Sequence, residues 1–348
     1  MSEKKPVKRR TRRSQGSGTL SEVAQAAQVS EMTVSRVLRR KDKVADKTRD
    51  HVLKVIQDLG YVPNRLAGAL ASSSSNQLAV IIPSLRNIVF PEVLSGITDR
   101  LDEAGYQAVI GISDYNQERE ASLIEAMMSW RPAGIIVTNT RHSEQATKVL
   151  RVTKSPVVEM MDLTGSPIDM CVGLDHHKAG REMARHLVAK GYRNIGYLGC
   201  DLIKDAAAGK RYAGFCDALR DAGLCIATSL TVDEPSGVGL GRHHMSALLA
   251  KVPQGQKLDA VYFSNDAVAV GAQMYCMAED IRTPEDLALA GFSGLEIGQA
   301  MPIPLTTIRS KRYHVGWLSA DYVVRRLRGE DPPRVTDAGF ELIEGATA

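Results

Sequence analysis

Helical periodicity confined to residues 19–59, then strand–helix alternation from residue 77 onward, predicts an α/β protein: a small N-terminal all-α head on a two-lobed body of doubly wound parallel sheets. A third observation is the charge. Residues 1–76 hold 16 Lys+Arg against 7 Asp+Glu, a net of +9, whereas the remainder holds 28 against 33, a net of −5. A basic head on an acidic body suits a head that meets a polyanion and a body that does not. A solvated basic tail is the plainer alternative.

At 348 residues the chain suits two or three compact units. No apolar run is long enough for a membrane span, and no apolar stretch follows the basic N-terminus as a secretory signal requires. The cysteines (171, 200, 216, 225 and 276) are scattered, odd in number and without a C-x-x-C pair, as expected of reduced thiols in a cytoplasmic protein.

Residues 1–18, with seven Lys or Arg and then Ser-Gln-Gly-Ser-Gly, are expected to be a disordered arm that touches phosphates without sequence preference. Three apolar stripes follow: Leu20/Val23/Ala24/Ala27, Val34/Val37/Leu38 and Val52/Leu53/Val55/Ile56/Leu59. Ser30 is placed to cap the second helix and Asp46 the third. After Ser72-Ser-Ser-Ser-Asn76, strands are predicted at 78–82, 108–112, 134–137, 156–160 and 170–174, with helices at 92–103 and 118–130. A second series has helices at 179–190, 212–222, 242–251 and 267–279 and strands at 195–198, 260–263 and 287–291. Two series imply two lobes, and ligands in open α/β sheets sit beyond the carboxyl ends of the strands. The cleft is therefore the expected site.

Residues 20–37 follow helix-turn-helix logic. Small Ala24 lets the second helix cross the first closely, while Val29 and Val34 fill the angle. Glu31, Met32, Ser35 and Arg36 then lie at the start of the second helix, within reach of base edges. Arg36 suits a guanine and Met32 a thymine methyl.

With these segments the chain resembles the lactose/galactose repressor family from about Thr19 to Leu342. The carrying pieces are Thr33-Val-Ser-Arg-Val-Leu, Lys47-Thr-Arg, Leu59-Gly-Tyr-Val-Pro-Asn-Arg-Leu-Ala, Ser264-Asn-Asp, Ala290-Gly-Phe and Pro304-Leu-Thr-Thr-Ile. Pro83-Ser-Leu-Arg-Asn, Val157-Val-Glu-Met-Met-Asp and Gly291-Phe-Ser-Gly-Leu-Glu-Ile-Gly-Gln are most similar to the gluconate repressors. The resemblance implies DNA contacts from Thr19, Leu20, Ser30, Glu31, Met32, Thr33, Ser35, Arg36, Arg39, Asn64, Arg65 and Leu70. It also implies a hinge helix at 64–72 that orders on the operator, with Leu70 wedged into a minor-groove step. Small Ala67, Gly68, Ala69 and Ala71 would let two hinges pack there. Three departures stand out: Gln28 for the usual turn glycine, Ala45 for the usual capping serine, and Arg39 for the usual asparagine.

The resemblance further implies a body similar to periplasmic sugar-binding proteins, with two lobes joined by three crossovers. The expected division is 1–18 arm, 19–60 helix-turn-helix domain, 61–76 hinge and linker, and 77–348 effector domain. Lobe one is placed at 77–174 and 306–335, lobe two at 175–304 and 336–348. Polar and aromatic groups at strand ends nominate Asn87, Phe90, Glu159, Asp162, Arg211 and Asn265 for the ligand. Arg211 matches the family's main effector-binding arginine. Ser293-Gly294 stands where many sugar-binding members carry Asp, and Arg312 where the gluconate repressors also carry Arg. One acid fewer and one guanidinium more favour an anion such as gluconate, 6-phosphogluconate or 2-ketogluconate. A solvated or lobe-crossing ion pair is the other reading of Arg312.

Other patterns are weak. Gly237-x-Gly239-x-Gly241 lacks the preceding strand of a dinucleotide loop. The adjacent histidines 176/177 and 243/244 cannot share a helical face, so no metal is expected. No catalytic constellation or cofactor motif is legible, and an enzyme is not expected. The expectation is a cytoplasmic, nucleoid-associated repressor that binds a palindromic operator as a homodimer and responds to a gluconate-type sugar acid. A family member sensing a neutral sugar or a purine is the alternative. The family's tetramers need a heptad tail, and little follows residues 340–343 here.

Overall fold

The structure is a computed structural model that describes residues 19–39, 44–62 and 75–348. The expected arm and the expected hinge, with Asn64, Arg65 and Leu70, lie outside the described residues. The chain divides into two compact units, residues 1–73 and 74–348.

The first unit contains α1 (Leu20–Ala26), α2 (Glu31–Arg39) and α3 (Asp46–Asp58). Thr19 and Glu22 form a reciprocal capping box at the start of α1. Val23, Ala24, Ala27, Val34, Val37 and Val52 make the buried core, flanked by Leu20, Val29, Leu38 and Ile56. Gln28 holds φ 53°, the left-handed turn that glycine would adopt at less cost. Ala45 caps α3 without a side-chain hydrogen bond, and Asp46 does not substitute for it; its carboxylate meets Arg49 at 2.6 Å.

The second unit opens with β1 (Gln77–Ile82), α4 (Val89–Glu103), β2 (Gln107–Ile112), α5 (Gln117–Met128) and β3 (Gly134–Thr138). It continues with α6 (Glu144–Val152), β4 (Val157–Met161) and β5 (Met170–Gly173). Then come α7 (His176–Ala189), β6 (Ile195–Cys200), α8 (Ala206–Asp221), β7 (Thr228–Val232), α9 (Val238–Ala250), β8 (Ala260–Phe263) and α10 (Asp266–Ala278). The chain ends with β9 (Ala288–Ser293), α11 (Glu296–Gln299), β10 (Thr306–Ser310), α12 (Arg312–Leu327), β11 (Val335–Asp337) and β12 (Phe340–Ile343).

The first sheet runs β11-β5-β4-β3-β1-β2, all parallel. The second runs β12-β10-β9-β8-β6-β7, parallel except for the antiparallel edge strand β12. Central strands such as Leu78-Ala-Val-Ile-Ile82 are buried on both faces, which is why they read as continuous apolar runs. In the first lobe α4 and α12 cover one face and α5 and α6 the other. In the second, α7 and α8 cover one face and α9 and α10 the other.

Glycines set how closely three of these helix pairs cross: Gly96 with Gly316, Gly180 with Gly214, and Gly241 with Gly271. A methyl at any of the six would overlap a facing backbone carbonyl oxygen. Gly241, part of the weak glycine run, therefore serves packing. Buried Arg100 bonds Asp321 at 2.9 Å between α4 and α12.

The crossovers differ from the expected lobe limits. Thr306–Ser310 pairs in parallel with β9 and belongs to the second sheet, so the chain returns to the first lobe only at Lys311. It stays there through β11, which pairs with β5, and crosses back at Ala338-Gly339. The polar Thr306-Thr307 pair goes to the second lobe because its hydroxyls have buried partners there. Thr307 donates to Asp266 at 2.5 Å and Thr306 to the carbonyl of Ala348 at 3.0 Å. Among the described residues no helix is long and apolar enough to cross a membrane.

Candidate functional site

In the head, Ser30 caps α2 by accepting from the Thr33 amide at 3.2 Å, and its hydroxyl meets that of Thr33 at 2.9 Å. With Val34 and Val37 buried, helical period turns Glu31, Met32 and Arg36 outward, with Ser35 half-buried beside them. Met32 is 64% exposed, so its apolar tip is open to a partner. Arg36 reaches along the helix to the Met32 sulfur at 3.4 Å and has no carboxylate partner among the described residues. A free guanidinium beside an apolar tip can read a guanine next to a thymine. Thr19 caps α1 and is exposed, and Leu20 packs half-buried against the core. Arg39 closes α2.

In the body, the loops beyond the carboxyl ends of both sheets enclose an inner chamber of about 80 Å³. Of the expected residues, Asn87, Phe90, Arg211, Asn265 and Ser293 line it. Arg211, on α8, is buried with its guanidinium carbon 3.9 Å from the Phe292 ring centre. Its Nη2 donates to the Ser264 carbonyl at 3.1 Å and its Nη1 to His176 Nδ1 at 3.1 Å, while Nε has no partner. Burial and the neighbouring guanidinium hold the His176 pKa well below 6.5, so the ring is neutral. Its Nδ1 must then accept from Arg211, and Nε2–H donates to the Met161 carbonyl at 2.9 Å. Asn265 caps α10 through the Val268 amide and donates to Ser236.

Asn87 donates to the Tyr115 hydroxyl at 3.0 Å. These two, with Lys204 and Asp205 from the other lobe, border both the chamber and an outer vestibule of about 400 Å³. Burial pushes the Tyr115 pKa up to about 12, so its hydroxyl stays neutral. Asp114, Asp201, Asp205, Asp233 and Glu234 line the vestibule against only Arg86 and Lys204.

Four expected residues do not line the chamber. Glu159 lies mid-strand on the same face as Val157, toward α5 and α6, where it accepts from the Ile168 amide at 2.6 Å and faces His142 at 3.6 Å. Asp162 is bound by Lys210 at 2.5 Å, an ion pair that joins the two lobes. Gly294, φ 69°, turns against Arg309. Arg312 forms an ion pair with Glu92 at 2.6 Å within the first lobe and donates to the Ser293 carbonyl of the second, so a hydrogen bond and not the ion pair crosses between the lobes. Buried Asp266 fastens the same corner through Thr307 and the Leu295 amide. Burial, opposed by these bonds, leaves its pKa raised to about 6.

Sequence reasoning missed Tyr115, Asn139, His176 and Phe292. His176 had a usable signal, as the first helical residue after the Asp175 cap. Tyr115 had one in the polar turn Ser113-Asp-Tyr-Asn116. Burial raises the Cys200 thiol pKa to about 11, which makes it a poor nucleophile. Among the described residues no cluster of three or more His, Cys, Asp or Glu is arranged to hold a metal.

Comparison with known proteins matches both parts. Residues 19–64 fit the profile described as "Bacterial regulatory proteins, lacI family". Residues 75–344 fit "Periplasmic binding proteins and sugar binding domain of LacI family". The chain is 36% identical over 329 residues to the HTH-type transcriptional regulator GntR of Escherichia coli (strain K12), covering 94% of this chain and 98% of that protein. A solved LacI-family transcriptional regulator from Silicibacter pomeroyi is 41% identical, with a TM-score of 0.89 over 95% of this chain and 99% of the other. The lac repressor dimer bound to operator and the anti-inducer ONPF is 25% identical, with a TM-score of 0.83 over 95% and 99%. The chain therefore belongs to the lacI family of bacterial regulatory proteins, as a transcriptional repressor with a DNA-binding helix-turn-helix head and a periplasmic-binding-protein-like body.

Proposed function

We infer that this repressor binds a near-palindromic operator as a homodimer and that a gluconate-type sugar acid in the body's cleft changes its affinity for that operator. The observation that carries the ligand class is Arg211, a buried, permanently charged guanidinium that lines the chamber and has no carboxylate partner among the described residues. Arg312 was the other expected carboxylate anchor, and its commitment to Glu92 and Ser293 leaves Arg211 for that role. Ser293 supplies no competing negative charge. Asn87, Asn139 and Asn265 offer amides for the hydroxyls, and Phe90 an apolar wall.

The acidic vestibule sets an order among candidates. A phosphate at the far end of the ligand would meet Asp201 and Asp205, and Asp114, Asp233 and Glu234 with their partners Arg119, Lys204 and His244, so gluconate and 2-ketogluconate should bind more tightly than 6-phosphogluconate. Calorimetric titration of the purified protein with these three acids, ribose, galactose and hypoxanthine tests the reading. Binding of a sugar acid with the phosphate ester weakest is the expected result. Tight binding of a neutral sugar or of hypoxanthine alone would overturn the ligand class and leave the repressor intact.

A further inference from the structure

We propose that His176 is the positioning residue that couples Arg211 to the first lobe, so that an effector on Arg211 selects one angle between the lobes. The proposal rests on the sugar-acid reading above and adds the residue that carries the signal. His176 is the first residue of α7, just after the crossover from β5. One edge of its ring accepts from Arg211 in the second lobe at 3.1 Å, and the other donates to the Met161 carbonyl in the first at 2.9 Å.

Both ends of this relay are held. Met161 ends β4 with φ 77°, a left-handed backbone that a side-chain-bearing residue adopts only when its surroundings impose it. Phe292 packs against both partners, 3.9 Å from the guanidinium carbon and 5.9 Å from the imidazole centre. Gly180 and Gly214 bring α7 against α8 so closely that the Arg211 carbonyl occupies the space a Gly180 methyl would need. With the helices locked, the guanidinium can adjust only relative to the imidazole. A ligand that prefers one guanidinium position then has unequal affinity for the lobe angles, which is the thermodynamic requirement for a conformational signal.

Two substitutions separate the halves of the relay. An Asn side chain keeps an acceptor near Nδ1 and is too short to reach Met161, whereas Gln keeps a donor near Nε2 and withdraws the acceptor from Arg211. Operator affinity is measured for the parent, His176→Asn and His176→Gln, without gluconate and at saturating gluconate, alongside gluconate titrations. The parent should respond within the roughly 5–150-fold range usual for coupled sites. His176→Asn should lose most of the ratio between operator affinities with and without saturating gluconate, whatever its unliganded affinity, while still binding gluconate. His176→Gln should bind gluconate more weakly. A full parental response in His176→Asn, or parental gluconate affinity in His176→Gln, would overturn the relay alone. A parent indifferent to gluconate would overturn the sugar-acid reading and the relay with it.

Discussion

Arg36 and His142 show how differently two cationic side chains serve one chain. Arg36 is exposed and free of carboxylates among the described residues, so its charge is available to a partner. Arg36→Ala should cost about 1–3 kcal/mol for each guanine it reads, and selectivity should fall while nonspecific binding persists. Competition between operator and random duplex in a mobility-shift assay measures this. His142 is buried between Glu120 at 3.1 Å and Glu159 at 3.6 Å. Burial alone would lower its pKa, but the two carboxylates outweigh burial and raise it to about 9. Because the folded value lies above the ordinary 6.5, the stabilisation is fully present below about pH 6.5 and is lost as pH rises through about 9. On the order of 3 kcal/mol should disappear across that window. Denaturant unfolding from pH 6 to 10 should show the decline in the parent and a flatter profile in His142→Gln. Glu159 is also where residue-level reading failed. It followed an apolar run and looked like a strand-end ligand, yet its alternation with Val158 and Met160 turns it to the α5/α6 face.

Among the elements, those with local signals were legible in the sequence. Continuous apolar runs marked the central strands, and Ser30 marked a helix start that the structure places with a capping bond. Elements determined by distant partners were not. α8 begins at Ala206, two turns before the expected start, because Asp205 caps a run of alanines that carries no apolar period. β10 looked like the entry to the first lobe, and only buried partners far along the chain, Asp266 and Ala348, place it in the second. The chamber was half legible for the same reason. Arg211 and Asn265 sit in recognisable motifs, whereas Asn139 follows β3 in a left-handed turn, φ 71°, held by the distant Met160 carbonyl at 2.9 Å. Where a local signal is missing, its replacement is testable. Ala45→Ser would supply the side-chain acceptor that α3 lacks and should stabilise the head by about 0.5–2 kcal/mol, read as a higher unfolding midpoint of the protein's first transition.

For the whole molecule, the separation of charge along the chain parallels the separation of tasks. A net of +9 in residues 1–76 against −5 in the remainder concentrates attraction for DNA at one end, where affinity and selectivity have different sources. On the proposed reading the basic residues of 1–13 neutralise phosphates, which would add affinity for any duplex and no choice between sequences. Deleting residues 2–13 should therefore weaken operator and random DNA alike and flatten the dependence of log affinity on log salt, while the ratio between the two sequences holds. A single head reads only about four to six base pairs, too few to single out a genomic site, so on the proposed homodimer selectivity would come from two heads on two half-sites. Sedimentation should accordingly find a dimer at micromolar concentration, and operators with one half-site destroyed should lose most of their advantage over random DNA. A monomer with full operator affinity would overturn the dimer. A deletion that changed selectivity while Arg36→Ala left it intact would reverse the assignment of tasks between arm and recognition helix.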